Sequence, residues 1–319
     1  MLKRDFTKSN KTYFKQNWVV LLCLALFLIV GVLVAGFCGM NGNFEFTGYN
    51  EFTISASTED RANFKHYNKE IASIVNSYGG KFDNVSVFGE GEECKLVVRY
   101  MNTVSAEDQR EINTAIITKI TEISDDEGYI PELSAHHFVE PSVRSTDYIF
   151  TAVAILILVL VATIFAYFRY NDASAISTLL ACAIGTLSFM SLGAITRLTI
   201  GKSYFAMLLI LNVLLIYFAF MFFEHIREEG FLKSDSYEMA LNSALKAERK
   251  RAIILAVAVY VIGLLFCLFG TNPIRYVSIN VMFIAVAMLF TVLYVLPFVW
   301  SALITRSRKK HASVKVKQK

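Results

Sequence analysis

The chain has 319 residues, is 55% hydrophobic and carries a formal net charge of +4. That modest charge gives no indication of nucleic-acid binding, and five cysteines without a CxxC motif or a His/Cys spacing predict no disulfide framework and no metal site. The sequence contains no recognisable nucleophile–base pairing or phosphate-binding loop, so we expect no enzymatic activity and no cofactor.

Six stretches of the chain lack charged residues and are long enough to cross a membrane. A spanning helix needs about 20 such residues, because the hydrocarbon core is about 30 Å thick and a helix rises about 1.5 Å per residue. The stretches are residues 18–40, 148–168, 173–196, 203–223, 252–274 and 276–305. The fold class predicted from this pattern is an α-helical polytopic membrane protein with six transmembrane helices.

The spacing of these stretches divides the chain into five parts. They are a basic N-terminus (1–17), the first transmembrane helix (18–40), a domain outside the bilayer (41–147), a five-helix transmembrane bundle with a loop at 224–251 (148–305), and a basic tail (306–319). The first stretch is too long for a signal peptide and lacks a convincing cleavage site, so we expect a retained anchor. Within the loop, residues 233–250 are predicted to form a short amphipathic helix on the membrane surface.

Lysine and arginine are concentrated on one side of the predicted membrane. Nineteen of the 31 lie in the N-terminus, the tail, the 224–251 loop and the turn after the second stretch, whereas the opposite short loops hold only Arg197, Lys202 and Arg275. Because positively charged segments stay in the cytoplasm, both termini are predicted to be cytoplasmic. The basic tails can also contact anionic lipid of the bilayer.

The segment 41–147 alternates between strand and helix signals. Period-two alternation predicts a strand over 44–55, helical spacing predicts a helix over 59–78, and short strands are predicted at 85–88 and 95–101. A second helix begins at Ser105, and a last strand covers 133–139. The order β-α-β-β-α-β predicts a ferredoxin-like α+β domain with both helices on one face of the sheet.

The interiors of the six stretches contain no Asp, Glu, Lys, Arg or His. Ionisable groups inside a membrane usually mark proton or ion pathways. The remaining polar candidates are Asn212, Tyr217 and Asn280, together with scattered Ser and Thr. We interpret them mainly as helix–helix hydrogen-bonding groups, with a transport pathway as the alternative.

Five short motifs at the ends of these stretches resemble motifs of the protein-export membrane protein SecF, a partner of SecD and a relative of the resistance-nodulation-division transporters. They cover residues 43–49 (NFEFTGY), 139–143 (VEPSV), 223–229 (FEHIREE), 244–254 and 269–275. Residues 223–229, for example, resemble the family motif F-D-R-I-R-E-N at the end of the fourth span. Each motif is weak alone, but all five occur in the expected order and at the expected place.

The resemblance implies an accessory subunit of the Sec protein translocase that assists late stages of preprotein export across the cytoplasmic (plasma) membrane of a bacterium. Its partners would be a SecD-like subunit, the Sec translocon channel and the unfolded preprotein. The chain departs from the family where an Asn-Asp pair would fall on Tyr217 and Phe218, and where a third-span Asp would fall among Gly185, Thr186 and Ser188. These departures argue against proton coupling by this chain itself.

Two groups of residues are candidate sites. The first lies where the external domain joins the membrane, where movement would couple the two parts and where we expect substrate or partner binding: Phe44, Phe46, Thr47, Gly48 and Tyr49. The second is the charged motif predicted on the cytoplasmic side: Phe223, Glu224, Ile226, Arg227, Glu228 and Arg251. Arg227 lies three residues after Glu224 and can pair with it on a helix, either as a docking feature or as a solvated helix end.

Two other functions fit the same pattern. One is half of a resistance-nodulation-division exporter for a small molecule or lipid, which would need intramembrane carboxylates. The other is a membrane assembly factor that transports nothing.

Overall fold

We describe the protein from a computed structural model. It describes residues 11–42, 44–55, 64–78, 82–88, 95–101, 106–123, 133–143, 145–197, 200–230, 237–270, 272–304 and 306. The chain divides into two compact units, one made of residues 1–41 with 145–319 and the other of residues 42–144. We call the first the helical unit and the second the α/β unit.

The secondary-structure elements follow the chain in this order: α1 (Lys11–Cys38), α2 (Phe44–Thr47), β1 (Tyr49–Ser55), α3 (Phe64–Ser77), β2 (Phe82–Phe88), β3 (Lys95–Met101), α4 (Ala106–Ile123), β4 (Leu133–Val139), α5 (Ser145–Arg169), α6 (Asp172–Ile195), α7 (Lys202–Gly230), α8 (Tyr237–Phe269) and α9 (Asn272–Phe290). A π-helical segment at Thr291–Val295 follows α9 directly, and the helix then continues to residue 304.

The helical unit confirms the predicted number of membrane spans. Among the described residues, six helices are long and apolar enough to cross a membrane: Val19–Cys38, Thr146–Arg169, Asp172–Ile195, Lys202–Glu228, Ala244–Phe269 and Ile274–Ile304. Together with the sheet described below, they confirm the predicted fold class of a six-helix polytopic membrane protein.

The break between α8 and α9 lies at Gly270 and Pro273, whose residue types favour a break in a helix. Helix α8 ends at Phe269 and α9 begins at Asn272, so Arg275, which separates the two uncharged stretches, lies inside α9. A Cβ on Gly270 would lie 2.7 Å from Cγ2 of Ile274, so only glycine fits this tight turn. Pro273 follows in the first turn of α9, where its missing N–H costs no helical hydrogen bond.

Residues 237–250 of the predicted surface helix form the first part of α8, and residues 233–236 lie outside the described part of the chain. Helix α8 runs without interruption from Tyr237 to Phe269. The sequence between Lys246 and Ala252 contains no Gly or Pro, so nothing there ends the helix. The change from charged to apolar residues therefore occurs inside one helix and not at a junction between two.

Helices α6 and α9 are the two most enclosed helices of the helical unit. Helix α6 contacts α1, α5, α7 and α9. The side chain of Asn171 accepts a hydrogen bond from the backbone N–H of Ser174 at 2.7 Å, which caps the N-terminus of α6. Its buried residues are mostly small, among them Ala173, Ser174, Ala175, Ser177, Thr178 and Ala181. Small residues let neighbouring helices approach closely, which is the usual way helices associate in lipid.

Two glycines mark the closest approaches to α6. A Cβ on Gly31 of α1 would lie 2.7 Å from the Cα of Ser191, so α1 and α6 touch at their backbones. A Cβ on Gly185 would meet Leu215 of α7 and would lie 3.2 Å from Oγ1 of Thr291. Gly185 therefore lets α6 pack against both α7 and the π-helical segment.

The α/β unit contains a four-stranded sheet in the order β2-β3-β1-β4, with all three neighbouring pairs antiparallel. Strand, helix, strand, strand, helix, strand follow one another along the chain. This order and this sheet topology are those of a ferredoxin-like fold, as the sequence predicted.

Both long helices of this unit cover the same face of the sheet. Alternate residues of the two central strands point into one core with residues of α3 and α4: Phe52, Ile54, Leu96, Val98 and Tyr100 from the strands, and Ile71, Val75, Ile112, Ile116 and Ile120 from the helices. Burial raises the pKa of Tyr100 to about 12, and its hydroxyl donates a hydrogen bond to Oδ1 of Asn113 at 3.1 Å.

The prediction of a strand over 44–55 is wrong in its first part. Residues Phe44–Thr47 form the short helix α2, and the strand begins at Tyr49. Gly48 separates the two with a φ of +71°, and a Cβ there would lie 2.7 Å from the carbonyl oxygen of Val139. Because only glycine adopts this conformation readily, the chain turns at Gly48 and cannot continue a strand through it.

We predict that Ile116→Ala destabilises the α/β unit by about 2–5 kcal/mol, because it removes buried methyl groups and leaves a cavity. The measurement is pulsed proteolysis of the detergent-solubilised full chain in increasing urea, scored by cleavage within residues 42–144. Glu111→Ala on the exposed side of the same helix is the control and should leave the midpoint unchanged. Equal midpoints for the two variants would contradict this core.

We predict that Gly31→Ala destabilises the helical unit whereas Gly36→Ala does not. A Cβ at position 31 overlaps Ser191, which costs about 1–3 kcal/mol of overpacking, whereas a Cβ at position 36 has no neighbour within 4 Å among the described residues. The measurement is the midpoint of thermal unfolding in detergent. The two substitutions have the same helix propensity, so a similar midpoint for both would disprove the close contact of α1 with α6.

Candidate functional site

The predicted binding segment forms a compact corner of the α/β unit. The backbone N–H of Val143 donates a hydrogen bond to the carbonyl of Glu45 at 2.8 Å, which fastens α2 to the chain that follows β4. Phe46 is half-buried and Gly48 is buried. The side chains of Phe44 and Thr47 lie outside the described part of the chain. The segment is therefore a turn with a fixed backbone.

Tyr49 lies on the face of the sheet that the two helices leave open. It pairs with Met101 on β3 and with Val139 on β4. The guanidinium of Arg99 lies 5.5 Å from the centre of the Tyr49 ring, and its Nε donates a hydrogen bond to Oε2 of Glu51 at 2.7 Å. The open face thus presents an aromatic ring with a cation over it and a carboxylate beside that cation.

The end of α7 has one buried side and one charged side. Phe223 and Ile226 are buried against Leu241 and Ala244 of α8 and against Trp300. Glu224, Arg227 and Glu228 lie at the remaining positions of this turn, and the last two are exposed. The motif found in the sequence therefore combines core residues with charged residues of the helix surface.

Glu224 joins the ends of α5 and α7. Arg169, the last residue of α5, donates from Nη2 to Oε1 of Glu224 at 3.2 Å. Arg227 lies one turn further along α7 with its Nη1 at 3.9 Å from the same oxygen, which confirms the pair expected from the sequence spacing. Burial, and to a smaller extent the neighbouring carboxylate of Glu224, raises the pKa of Tyr170 to about 12. The hydroxyl of Tyr170 donates a hydrogen bond to the carbonyl of Phe220 at 3.4 Å.

Glu248, about three turns into α8, lies beside the end of α7, and the sequence did not indicate it. The residue is only 2% exposed. Arg251 donates from Nη1 to Oε1 of Glu248 at 3.1 Å, and Nδ1 of His225 lies 3.7 Å from the same oxygen. Its other carboxylate oxygen has no hydrogen-bond partner among the described residues. The sequence held one signal that Glu248 is buried. It lies four residues from each of the small residues Ala244 and Ala252, which are on the same buried side of the helix.

We use the name helix-end cluster for the residues that these contacts connect: Arg169, Tyr170, Glu224, His225, Arg227, Glu248 and Arg251. Ion pairs at Glu224 link α5 to α7, and the approach of His225 to Glu248 brings α7 next to α8, so carboxylates lie at the centre of the cluster. It contains both predicted arginines and Glu224, whereas Glu228 makes no ion pair with any described side chain. Its geometry suits it to fix the helix ends or to bind a charged partner.

The polar residues inside the helical unit hydrogen-bond mostly to the helices themselves. Nδ2 of Asn212 donates to Oγ1 of Thr186 at 2.9 Å, joining α7 to α6. Thr291 donates to the carbonyl of Ala287 at 2.8 Å beside the π-helical segment. Asn280 is buried, and its amide atoms have no partner within the described part of the chain. Tyr217 is 51% exposed and therefore does not lie in the interior.

The described residues contain no group of three or more His, Cys, Asp or Glu side chains placed to hold a metal ion.

Comparison with known proteins identifies the fold through solved structures. No protein-family model matches the chain, and no curated protein matches it either. A crystal structure of SecDF in a super-membrane-facing form aligns with 91% of this chain at a TM-score of 0.70 and 16% identity. SecDF from Thermus thermophilus, described as a translocon-associated membrane protein, aligns with 96% of it at a TM-score of 0.63 and 15% identity.

These alignments show that the chain has the fold of SecDF along almost its whole length. At 15–16% identity they are evidence of fold and leave the activity open. The chain spans only about two fifths of each SecDF chain, 39% and 40% respectively. The resemblance to the SecD/SecF family that the boundary motifs indicated is thus supported by an independent observation.

We predict that Glu248→Ala destabilises the helical unit more than Glu224→Ala. Removing Glu248 leaves Arg251 and His225 without their carboxylate and empties a buried position. We expect the free energy of unfolding to fall by about 1–3 kcal/mol. Removing the half-exposed Glu224 costs at most about 1 kcal/mol. The measurement is maleimide labelling of the buried Cys182 in the detergent-solubilised protein, resolved by mass spectrometry of the labelled peptide.

The control for this comparison is Glu228→Ala, which alters an exposed carboxylate one turn from Glu224 and should leave the labelling rate unchanged. If Glu248→Ala labels no faster than this control, the helix-end cluster contributes nothing to the stability of the bundle.

Proposed function

We propose that this chain is an accessory subunit of the Sec protein translocase that assists late stages of preprotein export together with a SecD-like partner. The observation that carries the proposal is the SecDF fold, which extends through both the helical unit and the α/β unit. The five boundary motifs add support, because they lie at the boundaries of the uncharged stretches, in the order that the family has them.

A SecD-like partner would account for the size of the match. The chain corresponds to about two fifths of a SecDF chain, and the rest of that length would be supplied by the partner. The surface of α5 suits such a contact, because Ile157, Val161, Ile164 and Phe168 recur at helical spacing and are each more than half exposed. A bundle with this apolar face would lie against lipid or against a second set of helices.

The proposed orientation follows the distribution of charge. With both termini in the cytoplasm of a bacterium, the α/β unit lies outside the cytoplasmic membrane and the helix-end cluster lies at the inner surface. The corner around Phe46, Gly48 and Tyr49 is then the proposed contact for preprotein or for a partner domain. The helix-end cluster is the proposed docking site for the translocon channel.

Proton coupling by this chain is not part of the proposal. The positions where the family carries its acidic groups hold Gly185, Thr186 and Ser188, and here the first two serve close packing and a hydrogen bond to Asn212. The pair expected in the fourth span falls on Tyr217 and Phe218, of which the second is buried. A SecD-like partner would supply that step.

We predict that a photo-crosslinking residue at the exposed position His137, which pairs with Glu51 on the open face of the sheet, captures a secretory chain stalled in transit. Capture requires that this unit meets the polypeptide on the outer side of the membrane. The measurement is the crosslinked product after ultraviolet irradiation of cells expressing the full chain and a stalled precursor. The same crosslinker at Glu228, on the proposed cytoplasmic side, is the control and should capture no chain that has already crossed.

Two further results separate this proposal from its alternatives. Loss of the SecD-like gene should lower the amount of this protein, because a subunit without its partner is degraded. An unchanged amount together with no crosslink would instead favour an independent assembly factor. Export of a small molecule by the purified chain alone in vesicles would favour the exporter.

A further inference from the structure

Helix α8 carries three cations that the described contacts leave unpaired. Lys246, Arg249 and Lys250 are exposed, and none of them forms an ion pair with a described side chain. Other arginines at the same end of the bundle differ from them, because Arg169, Arg227 and Arg251 each lie within ion-pair distance of a glutamate. The three cations therefore do not belong to the helix-end cluster.

Two of these cations lie on the side of α8 that faces away from the protein. The buried side of the helix is marked by Ala244, Glu248 and Ala252, which recur every four residues. Each residue turns the helix by about 100°, so Lys246 and Lys250, two residues before and after Glu248, are each rotated about 160° around the helix axis from Glu248. They point to the surroundings of the helical unit and not into it.

The same side of α8 continues as an apolar surface. Ile254, Val257 and Val261 are 59%, 55% and 45% exposed and follow the cations at helical spacing. The uncharged stretch begins at Ala252, about half a turn after Lys250. Cations and apolar side chains therefore meet at the level where a spanning helix leaves the hydrocarbon core.

The three cations repel one another. Lys246 lies three residues from Arg249 and four from Lys250, and like charges at these spacings destabilise a helix. An anion bound between them would relieve this repulsion. A ligand that also covers the apolar surface below must have a long apolar part, and an anionic phospholipid has both.

We propose that Lys246, Arg249 and Lys250 bind the phosphate of an anionic phospholipid whose acyl chains lie along Ile254, Val257 and Val261. The ammonium and guanidinium groups supply charged hydrogen bonds to the phosphate oxygens, and the exposed apolar side chains hold the chains in place. The site selects for the charge of the headgroup, since a zwitterionic lipid offers the same acyl chains without net charge.

The test is native mass spectrometry of the full-length protein in a neutral detergent, titrated with phosphatidylglycerol or with phosphatidylcholine of the same acyl chains. The variant K246Q/R249Q/K250Q should lose more than tenfold in affinity for phosphatidylglycerol, because each cation near an anionic headgroup is worth about fivefold. Its affinity for phosphatidylcholine should stay within about twofold of the original. The conservative variant K246R/K250R should keep the preference.

The control K95Q/R110Q/R275Q removes the same charge from three other exposed positions and should keep the preference for phosphatidylglycerol. The proposal fails if the α8 variant binds phosphatidylglycerol as the original does, if it loses both lipids equally, or if the control loses as much. Unchanged lipid binding with loss of a copurifying SecD-like subunit would mean that this face binds protein.

Discussion

Close packing around α6 is the contact on which the helical unit depends. Helices in lipid gain nothing from burying apolar surface against each other, because lipid tails are equally apolar, so association requires close contact and hydrogen bonds. Gly31 brings α1 onto Ser191, and Gly185 brings α6 onto Leu215 and Thr291. With these backbones close together, Thr186 reaches Asn212 and the two helices share a hydrogen bond.

The exclusion of charge from hydrocarbon determines where the candidate site lies. Charged side chains collect at the ends of the uncharged stretches, and the packing of α5, α7 and α8 brings those positions together. Glu224 lies within ion-pair distance of Arg169 and Arg227, and Glu248 contacts Arg251 and lies 3.7 Å from Nδ1 of His225. The exposed cations of α8, Lys246, Arg249 and Lys250, have no such partner in the described chain. The charges of the helix-end cluster therefore contact one another, whereas these three face the surroundings.

Sequence reasoning was most successful where a pattern depends on near neighbours. Strands β3 and β4 have the predicted bounds, because period-two alternation is a local property. The pairing of Glu224 with Arg227 was likewise readable from their spacing within one helix. The predicted start of β1 was wrong because the alternation over 44–47 also fits one helical turn. Only the positive φ of Gly48 separates the helix α2 from the strand β1.

Sequence alone determined the number of spans, the order of elements in the α/β unit and the resemblance to the SecD/SecF family, because hydropathy, periodicity and boundary motifs are all read along the chain. Tertiary structure alone decided that Glu248 meets His225 and Arg251, and that Gly185 occupies a packing position. These features depend on which helices become neighbours and how they rotate about their axes. That choice is made by packing between residues far apart in the sequence, so no local pattern records it.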